Sequence, residues 1–455
     1  MTPSAPAFSP GSVRAFRFTE RSADWSTGVV RLGYALDDIA FTETFTFPVP
    51  EGAAPAGDRA RALDGAVGLL HLVAGVSYYK AAVPPRITVD GDAPPAATAR
   101  ALERLWTQGL GEFAWRNGRP DVGHGIAFPD AGDGDPEPAP ALGLAPRSLV
   151  PVGGGKDSVV SLAALVAAGE DVIAFSVGRK PSADAAARIE GVPMLHVTRD
   201  LDPRLFDLNR AGALNGHVPI TAIVSCAAVV AAVLHDCDAV VMSNERSASS
   251  GNFDWPAFGG VVNHQHSKGW EAERDLAAIV RRDVASDLAY FSLLRPWSEL
   301  AISRAFAALP EHHATFMSCN VGFKIHEPAV PGWCGDCPKC RFVFLALAPF
   351  LDRPALTGVF GADLLDDPSQ VPGFREVLGI EEDKPFECVG EVDEARAALR
   401  TVAADPAWSG AAVVVALADA AGGPDAAAIA AWLDPRGDHA IPGRHLRAAR
   451  AALGA

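Results

Sequence analysis

A chain of 455 residues is long enough for two or three domains with a substantial core. Hydrophobic residues make up 49% and charged residues 21%, which disfavours extended disorder outside linkers. With 39 basic against 55 acidic residues and a net charge of −16, a surface that tracks nucleic-acid phosphates is disfavoured. The start, Met1 to Ala15, lacks the apolar centre of a signal peptide. The longest apolar run, Val218 to Leu234, contains Thr221, Ser225 and Cys226 and has no basic flanks, so a buried helix is expected there. These features predict a cytoplasmic enzyme without nucleic-acid or membrane partners, its seven cysteines being reduced thiols or metal ligands.

Between Val13 and Pro48 apolar and polar residues alternate, as in Phe41-Thr-Glu-Thr-Phe-Thr-Phe47, which predicts strands turning at Gly28 and Asp37-Asp38. Helical patterns follow at 60–76 and 97–117, with a strand at 86–89 between them. Residues 1–118 therefore read as an N-terminal α+β domain. Residues 119–146 are crowded with Pro, Gly and Asp and read as a linker. Strands and helices alternate through 147–352, and 353–455 is expected to be mostly helical, serving packing and cover.

The central region opens with Ser148-Leu-Val-Pro-Val-Gly-Gly-Gly-Lys-Asp-Ser158, a strand running into a glycine loop and then a helix. Gly153, Gly154 and Gly155 leave no side chain to obstruct a ligand. Asp157 or Ser158 is expected to cap a helix over 159–168. Free amides at a helix start attract phosphate, Lys156 adds a positive charge, and Asp157 is placed to hold Mg²⁺. The Walker pattern fails because Asp157 stands where Ser or Thr is required, and the G-x-G-x-x-G dinucleotide pattern fails as well. The loop is nonetheless built to handle a nucleotide.

Strands are predicted at 172–177, 194–197 and 239–243, and helices at 182–189, 218–235 and 272–290. Such alternation implies an α/β fold, a parallel sheet with helices on both faces and ligands at the carboxyl ends of its strands. Ser176 would then lie near the base or ribose. Asn244, Glu245 and Arg246 also follow a strand, and Glu245 is a second candidate Mg²⁺ contact or a partner for a substrate amine. The loop Asn263-His264-Gln-His266-Ser-Lys268 is dense in polar groups, and His217 is expected to open the long helix, whose dipole would keep it neutral. Further on, Cys334, Cys337 and Cys340 recur at intervals of three, preceded by Cys319. Four converging thiolates make a closed structural zinc site, the competing readings being a redox Cys-x-x-Cys or buried free thiols.

The glycine loop resembles the Ser-Gly-Gly-x-Asp-Ser pyrophosphate loop of the N-type ATP pyrophosphatases. Gly154, Gly155, Asp157 and Ser158 match, and Gly153 replaces the first Ser. That resemblance implies an adenine nucleotide alpha hydrolase-like fold, ATP as co-substrate, cleavage between its α- and β-phosphates, and an adenylated intermediate. The cysteine arrangement resembles the zinc site of 7-cyano-7-deazaguanine synthase. Longer strings are similar to the UDP-N-acetylmuramoyl-L-alanyl-L-glutamate epimerase family. They are Gly212-Ala-Leu-Asn215-Gly-His217-Val-Pro-Ile-Thr221, Val241 to Ser247, Asn263 to Lys268, Cys334 to Phe350, and Lys384-Pro-Phe-Glu-Cys388-Val-Gly390. The resemblance implies a UDP-linked muramoyl dipeptide as substrate, contacted by Asn215, Asn244, Glu245, Arg246, His264, His266 and Lys268.

A chemical reason supports that function. A carboxylate makes its own Cα–H a very weak acid, because deprotonation would set a carbanion beside an existing negative charge. Adenylation removes the charge, so proton removal and return can invert the centre without pyridoxal phosphate. Candidate bases are Cys388, His217, His264, His266 and Lys268, and Lys384 could lower the pKa of Cys388. Two alternatives stand beside the epimerase: an amide-forming ligase in which a nitrogen nucleophile intercepts the adenylate, and a non-catalytic nucleotide sensor bearing zinc.

Overall fold

The computed structural model describes residues 8–132, 134, 137–319, 332–380 and 384–454. The first seven residues of the chain start, three positions of the 119–146 stretch, and 320–331 within the cysteine-bearing stretch lie outside the described residues. Strands β1 (Ala15–Asp24), β2 (Val29–Leu36) and β3 (Ile39–Thr46) form an antiparallel meander, and β4 (Arg86–Val89) pairs in parallel with β1. Alternation places Phe16 and Phe18 inward and Arg17 outward, as a strand with one covered face requires.

The central region supplies β5 (Arg147–Pro151), β6 (Asp171–Val177), β7 (Met194–Asp200) and β8 (Ala239–Met242). A short ribbon follows, β9 (Phe253–Trp255) with β10 (Gly260–Val262), and then β11 (Ala289–Ser292). The main sheet has nine strands in the order β11-β8-β5-β6-β7-β3-β2-β1-β4. Its β11-β8-β5-β6-β7 part is wholly parallel. Adjacent residues of these strands face opposite layers. Leu149, Val240 and Tyr290 join one core, which also contains Phe16 and Phe45, while Val150, Val241 and Phe291 join the other. Helices Gly57–Ala74 and Ile220–Leu234 cover the first face; Lys156–Ala167, Glu299–Ala307 and Pro338–Leu347 cover the second.

The sheet runs without interruption from the N-terminal meander into the central region. Thr44, Phe45 and Thr46 of β3 pair with Asp200, Arg199 and Thr198 of β7. At that seam the buried Glu43 accepts from Arg199 Nε at 2.5 Å, and Arg199 also donates to Ser77 Oγ at 2.8 Å. The stretch Gly57–Tyr79 is long and apolar enough to cross a bilayer, yet 78% of its apolar window is covered by the rest of the protein.

Three expectations need correction. The helix predicted over 272–290 is an α-helix only to Ile279 and continues as a π turn over Val280–Val284, and Ala289–Ser292 is a strand paired with β8, because a short apolar run fits either period. The long helix begins at Ile220, so His217 lies in the loop before it. The expected linker is also packed against the fold: Val122, Ile126 and Phe128 are buried, and Asp287 accepts from the amides of Leu142 and Gly143.

Candidate active site

The strand order reverses direction between β5 and β8, the place where an open parallel sheet leaves a crevice beyond its carboxyl ends. The glycine loop fills that place. Gly154 has φ +86°, and a Cβ there would lie 2.1 Å from Ser182 Oγ; at Gly155 it would lie 2.5 Å from Ser318 Oγ. Contrary to expectation, the helix starts at Lys156 with Gly155 as its cap residue, and neither Asp157 nor Ser158 caps it. Ser158 Oγ turns back to donate to the Gly155 carbonyl at 3.1 Å. Among the described residues no side chain caps the helix start, as a phosphate cradle requires. Beyond it lies a cleft of about 320 Å³, lined by Gly153, Gly155, Asp157, Ser158, Ser176, Lys180, Asn244 and Lys268. Ser176 is fixed by bonds to the Gly178 carbonyl (2.7 Å) and to His196 Nδ1 (2.9 Å).

Three carboxylates meet behind the loop: Asp157, Glu245 and Glu299 offer oxygens within 4.8 Å of one another. Lys156 is not a lining residue of the cleft; its buried ammonium binds Asp157 and Glu299. Burial opposes that charge, but the two carboxylates hold it protonated. Glu245 is held by Ser247 Oγ, which donates to its Oε1 at 3.1 Å, and by Arg295, which donates to its carbonyl at 2.7 Å. Oxygen donors of this kind suit a hard cation such as Mg²⁺. Asn244 donates to Ser292 Oγ at 2.9 Å, and the Arg246 guanidinium lies 5.4 Å from the Trp432 ring centre.

Lys268 connects this cleft to a second cluster. Its ammonium lies 3.0 Å from Cys388 Sγ, and His264 Nε2 lies 3.9 Å from the same sulfur. His264 Nδ1 donates to Glu112 Oε2 at 2.5 Å, and His217 Nδ1 lies 3.6 Å from the same oxygen. Arg116 donates to the other Glu112 oxygen at 2.6 Å. Burial alone would raise the Cys388 thiol, but Lys268, His264 and Lys339 outweigh it and bring it down to about 6. Burial likewise disfavours a charged His264, yet its bonds to Cys388 and Glu112 raise it to about 9. His217 is pushed down to about 4 by burial and then by the charge of His264, so it is neutral for that reason and not because of a helix dipole. Glu112, His217 and His264 also lie within 4.8 Å of one another. A 2.5 Å separation of Nδ1 and Oε2 is a hydrogen bond, shorter than the roughly 3.3 Å that two ligands on one tetrahedral ion would keep.

Packing holds this cluster together. Asn252 donates to the carbonyls of Lys384 and Pro385 and accepts from the His264 amide at 2.8 Å, tying the Cys388 loop to the His264 loop. Lys339 donates to the Cys388 carbonyl. Two of the predicted contacts fall elsewhere. His266 is buried between helices Ala96–Gly109 and Trp270–Ile279, where burial lowers it to about 4. Asn215 receives a bond from the buried Lys80 and offers its carbonyl to Asn117 at 3.0 Å.

Cys319, Cys334, Cys337 and Cys340 bring their sulfurs within 4.8 Å of one another, with Cys337 and Cys340 at 3.4 Å and Cys334 and Cys340 at 3.6 Å. Sulfurs on one tetrahedral zinc sit about 3.8 Å apart, so the four thiols fit that ion. Cys226 and Cys237 are buried in the apolar core.

Comparison with known proteins gives the family. The model of the MurL N-terminal domain matches residues 7–293, and that of the MurL C-terminal domain matches 315–431. The chain belongs to the MurL family. Its relatives include the UDP-N-acetyl-alpha-D-muramoyl-L-alanyl-L-glutamate epimerase of Xanthomonas oryzae pv. oryzae, 48% identical over 90% of each chain. The epimerase of that name from Salinispora tropica is 46% identical over 89% of this chain and 88% of its own. The one from Micromonospora sp. is 46% identical over 95% and 97%. MurL-family relatives are thus named as isomerases.

Sequence reading overlooked several residues that shape this MurL-family site: Glu112, Asn252, Glu299 and Lys339. Glu112 had one visible sign, an acid in the otherwise apolar start Gly111-Glu-Phe-Ala-Trp115. Glu299 follows the cap residue Ser298, whose hydroxyl accepts from the Ala301 amide at 3.0 Å, and so reads as an ordinary first-turn acid.

Proposed function

We propose that this chain inverts the glutamyl Cα of UDP-N-acetyl-alpha-D-muramoyl-L-alanyl-L-glutamate while cleaving ATP to AMP and pyrophosphate. The observation that carries this reading is the contact of Lys268 with both sites: it lines the glycine-loop cleft and lies 3.0 Å from Cys388 Sγ. Nucleotide activation and proton chemistry are then neighbours. The parallel part of the sheet, with a glycine cradle at its switch point, supports an adenine nucleotide alpha hydrolase-like domain.

In this reading the loop amides from Gly153 to Ser158 receive the β- and γ-phosphates. Asp157, Glu245 and Glu299 would hold Mg²⁺, which when bound supplies charge neutralisation to the phosphates. Lys180 and Lys268 flank the cleft and counter the negative charge of substrate and nucleotide. A substrate carboxylate attacks the α-phosphorus, and the acyl adenylate that forms no longer carries the charge that protected its Cα–H. His217 handles the proton, His264 and Cys388 lie beside it, and Glu112 orients the two imidazoles. Cys319, Cys334, Cys337 and Cys340 would hold zinc as a closed structural site, remote from any hydrolytic role.

The test is incubation with ATP, Mg²⁺ and the UDP-linked dipeptide in D₂O. Deuterium at the glutamyl Cα, inversion of that centre and AMP are expected together, and all three should need ATP. Inversion at full rate without ATP would overturn the reading. AMP formed only with an added nitrogen donor, with no exchange at Cα, would instead indicate an amide-forming ligase.

A further inference from the structure

The arrangement around Cys388 suits acyl transfer better than simple proton removal. A thiol, an imidazole beside it and a carboxylate on the far ring nitrogen follow in the order of nucleophile, base and orienting group. An ionised carboxylate only accepts hydrogen bonds, so Glu112 fixes the proton on His264 Nδ1 and turns Nε2 toward the sulfur. Lys268 joins that sulfur to the cleft in which the adenylate would form. We infer that Cys388 Sγ takes the activated acyl group from AMP, and that the stereocentre is inverted on a thioester covalently bound to the enzyme. The inference rests on the adenylation proposed above.

The steps balance. The Cys388 thiolate adds to the acyl carbon, a C–S bond forms, and the C–O bond to phosphate breaks, AMP leaving with the electron pair. The thioester carbonyl acidifies Cα–H. His217, whose ring lies 4.4 Å from that of His264, takes this proton, and solvent returns one on the opposite face. His264, no longer paired with a thiolate, gives its proton to solvent. Water then adds to the carbonyl, passing one proton to the neutral imidazole and the other to solvent, and the C–S bond breaks to restore thiolate and carboxylate. A thiolate held between two cations loses basicity in full but nucleophilicity only in part. That favours attack on carbon over capture of a carbon-bound proton. It also keeps the two tasks on separate residues, Cys388 for the acyl group and His217 for the proton.

The experiment is a single turnover of the full chain with ATP, Mg²⁺ and dipeptide radiolabelled in its glutamyl residue, quenched in acid and run beside the His217→Asn variant. Label bound to the denatured protein is expected, released by neutral hydroxylamine and mapped by mass spectrometry to Cys388. The His217→Asn variant should accumulate up to about one acyl group per chain, with a matching burst of AMP and little Cα deuteration. Substrate-dependent exchange of pyrophosphate into ATP reports the adenylation step independently. If exchange and Cα deuteration proceed while neither protein carries label at any quench time, the thioester is overturned and the proposed function stands. Cα deuteration persisting in Cys388→Ala, or in the nearly isosteric Cys388→Ser, overturns it equally. Absence of pyrophosphate exchange in the unaltered chain overturns both readings.

Discussion

Cys388 and His264 form one titrating pair, and their opposed shifts fix a pH window for activity. The thiolate is present above about 6 and is lost as the pH falls through that value. The imidazolium partner is present below about 9 and is lost as the pH rises through it. A bell-shaped profile of kcat/KM with limbs near these two values is expected, each limb belonging to the pair and not to one residue. Glu112 holds the raised limb up, because its carboxylate stabilises the charged ring. Glu112→Gln should therefore move the alkaline limb to lower pH and the acid limb to higher pH, and reduce kcat by roughly 10²–10⁴-fold with little change in KM. A pH–rate profile that keeps both limbs in place would show that Glu112 merely packs.

The site is assembled from connecting segments, and the elements serve to bring these together. Glu112 comes from the short helix Gly111–Asn117, His217 from the loop before Ile220–Leu234, and His264 and Lys268 from the segment after β10. Cys388 stands in the loop before Val392–Ala403. Asn252 is the clamp between two of these segments. Asn252→Ala is expected to loosen both, lowering turnover about 10²-fold while a thermal melt shifts little. The cysteine cluster acts at the same scale. It sits at the start of helix Pro338–Leu347, where Cys337 Sγ accepts from the Cys340 amide, and the same helix carries Lys339 to the Cys388 carbonyl. One zinc per chain is expected by elemental analysis. Cys337→Ser should lose the metal, melt at lower temperature and lose turnover together with it. Turnover lost with full metal content would assign the thiols another task.

The whole molecule depends on a sheet that continues from the N-terminal meander into the parallel half. The seam between β3 and β7 carries the buried pair Arg199–Glu43, and removing one partner leaves the other buried without compensation. Arg199→Ala is expected to destabilise the fold by about 3–5 kcal/mol, read from urea unfolding. Because one apolar core spans both sides of the seam, unfolding should be a single transition in that variant and in the unaltered chain. A low-temperature transition confined to the N-terminal strands would show that the seam transmits little.

Composition, period and spacing were enough to reveal the alternating strands, the glycine loop, the cysteine triplet and the similarity to the epimerases. Each of these is written in neighbouring residues: a strand face repeats every second position, a phosphate cradle needs consecutive glycines, and a thiolate knuckle needs cysteines a few residues apart. The sequence could not show that Glu112, His217, His264, Lys268 and Cys388 share one polar cluster, because they are separated by up to 276 positions and meet only when loops from both halves of the sheet converge. Nor could it separate His264 from His266, two residues along the same loop. One faces the thiol and the other is buried between two helices, a choice made by packing alone. Charge states followed the same division, because a pKa is set by the neighbours that folding supplies and by the water it removes.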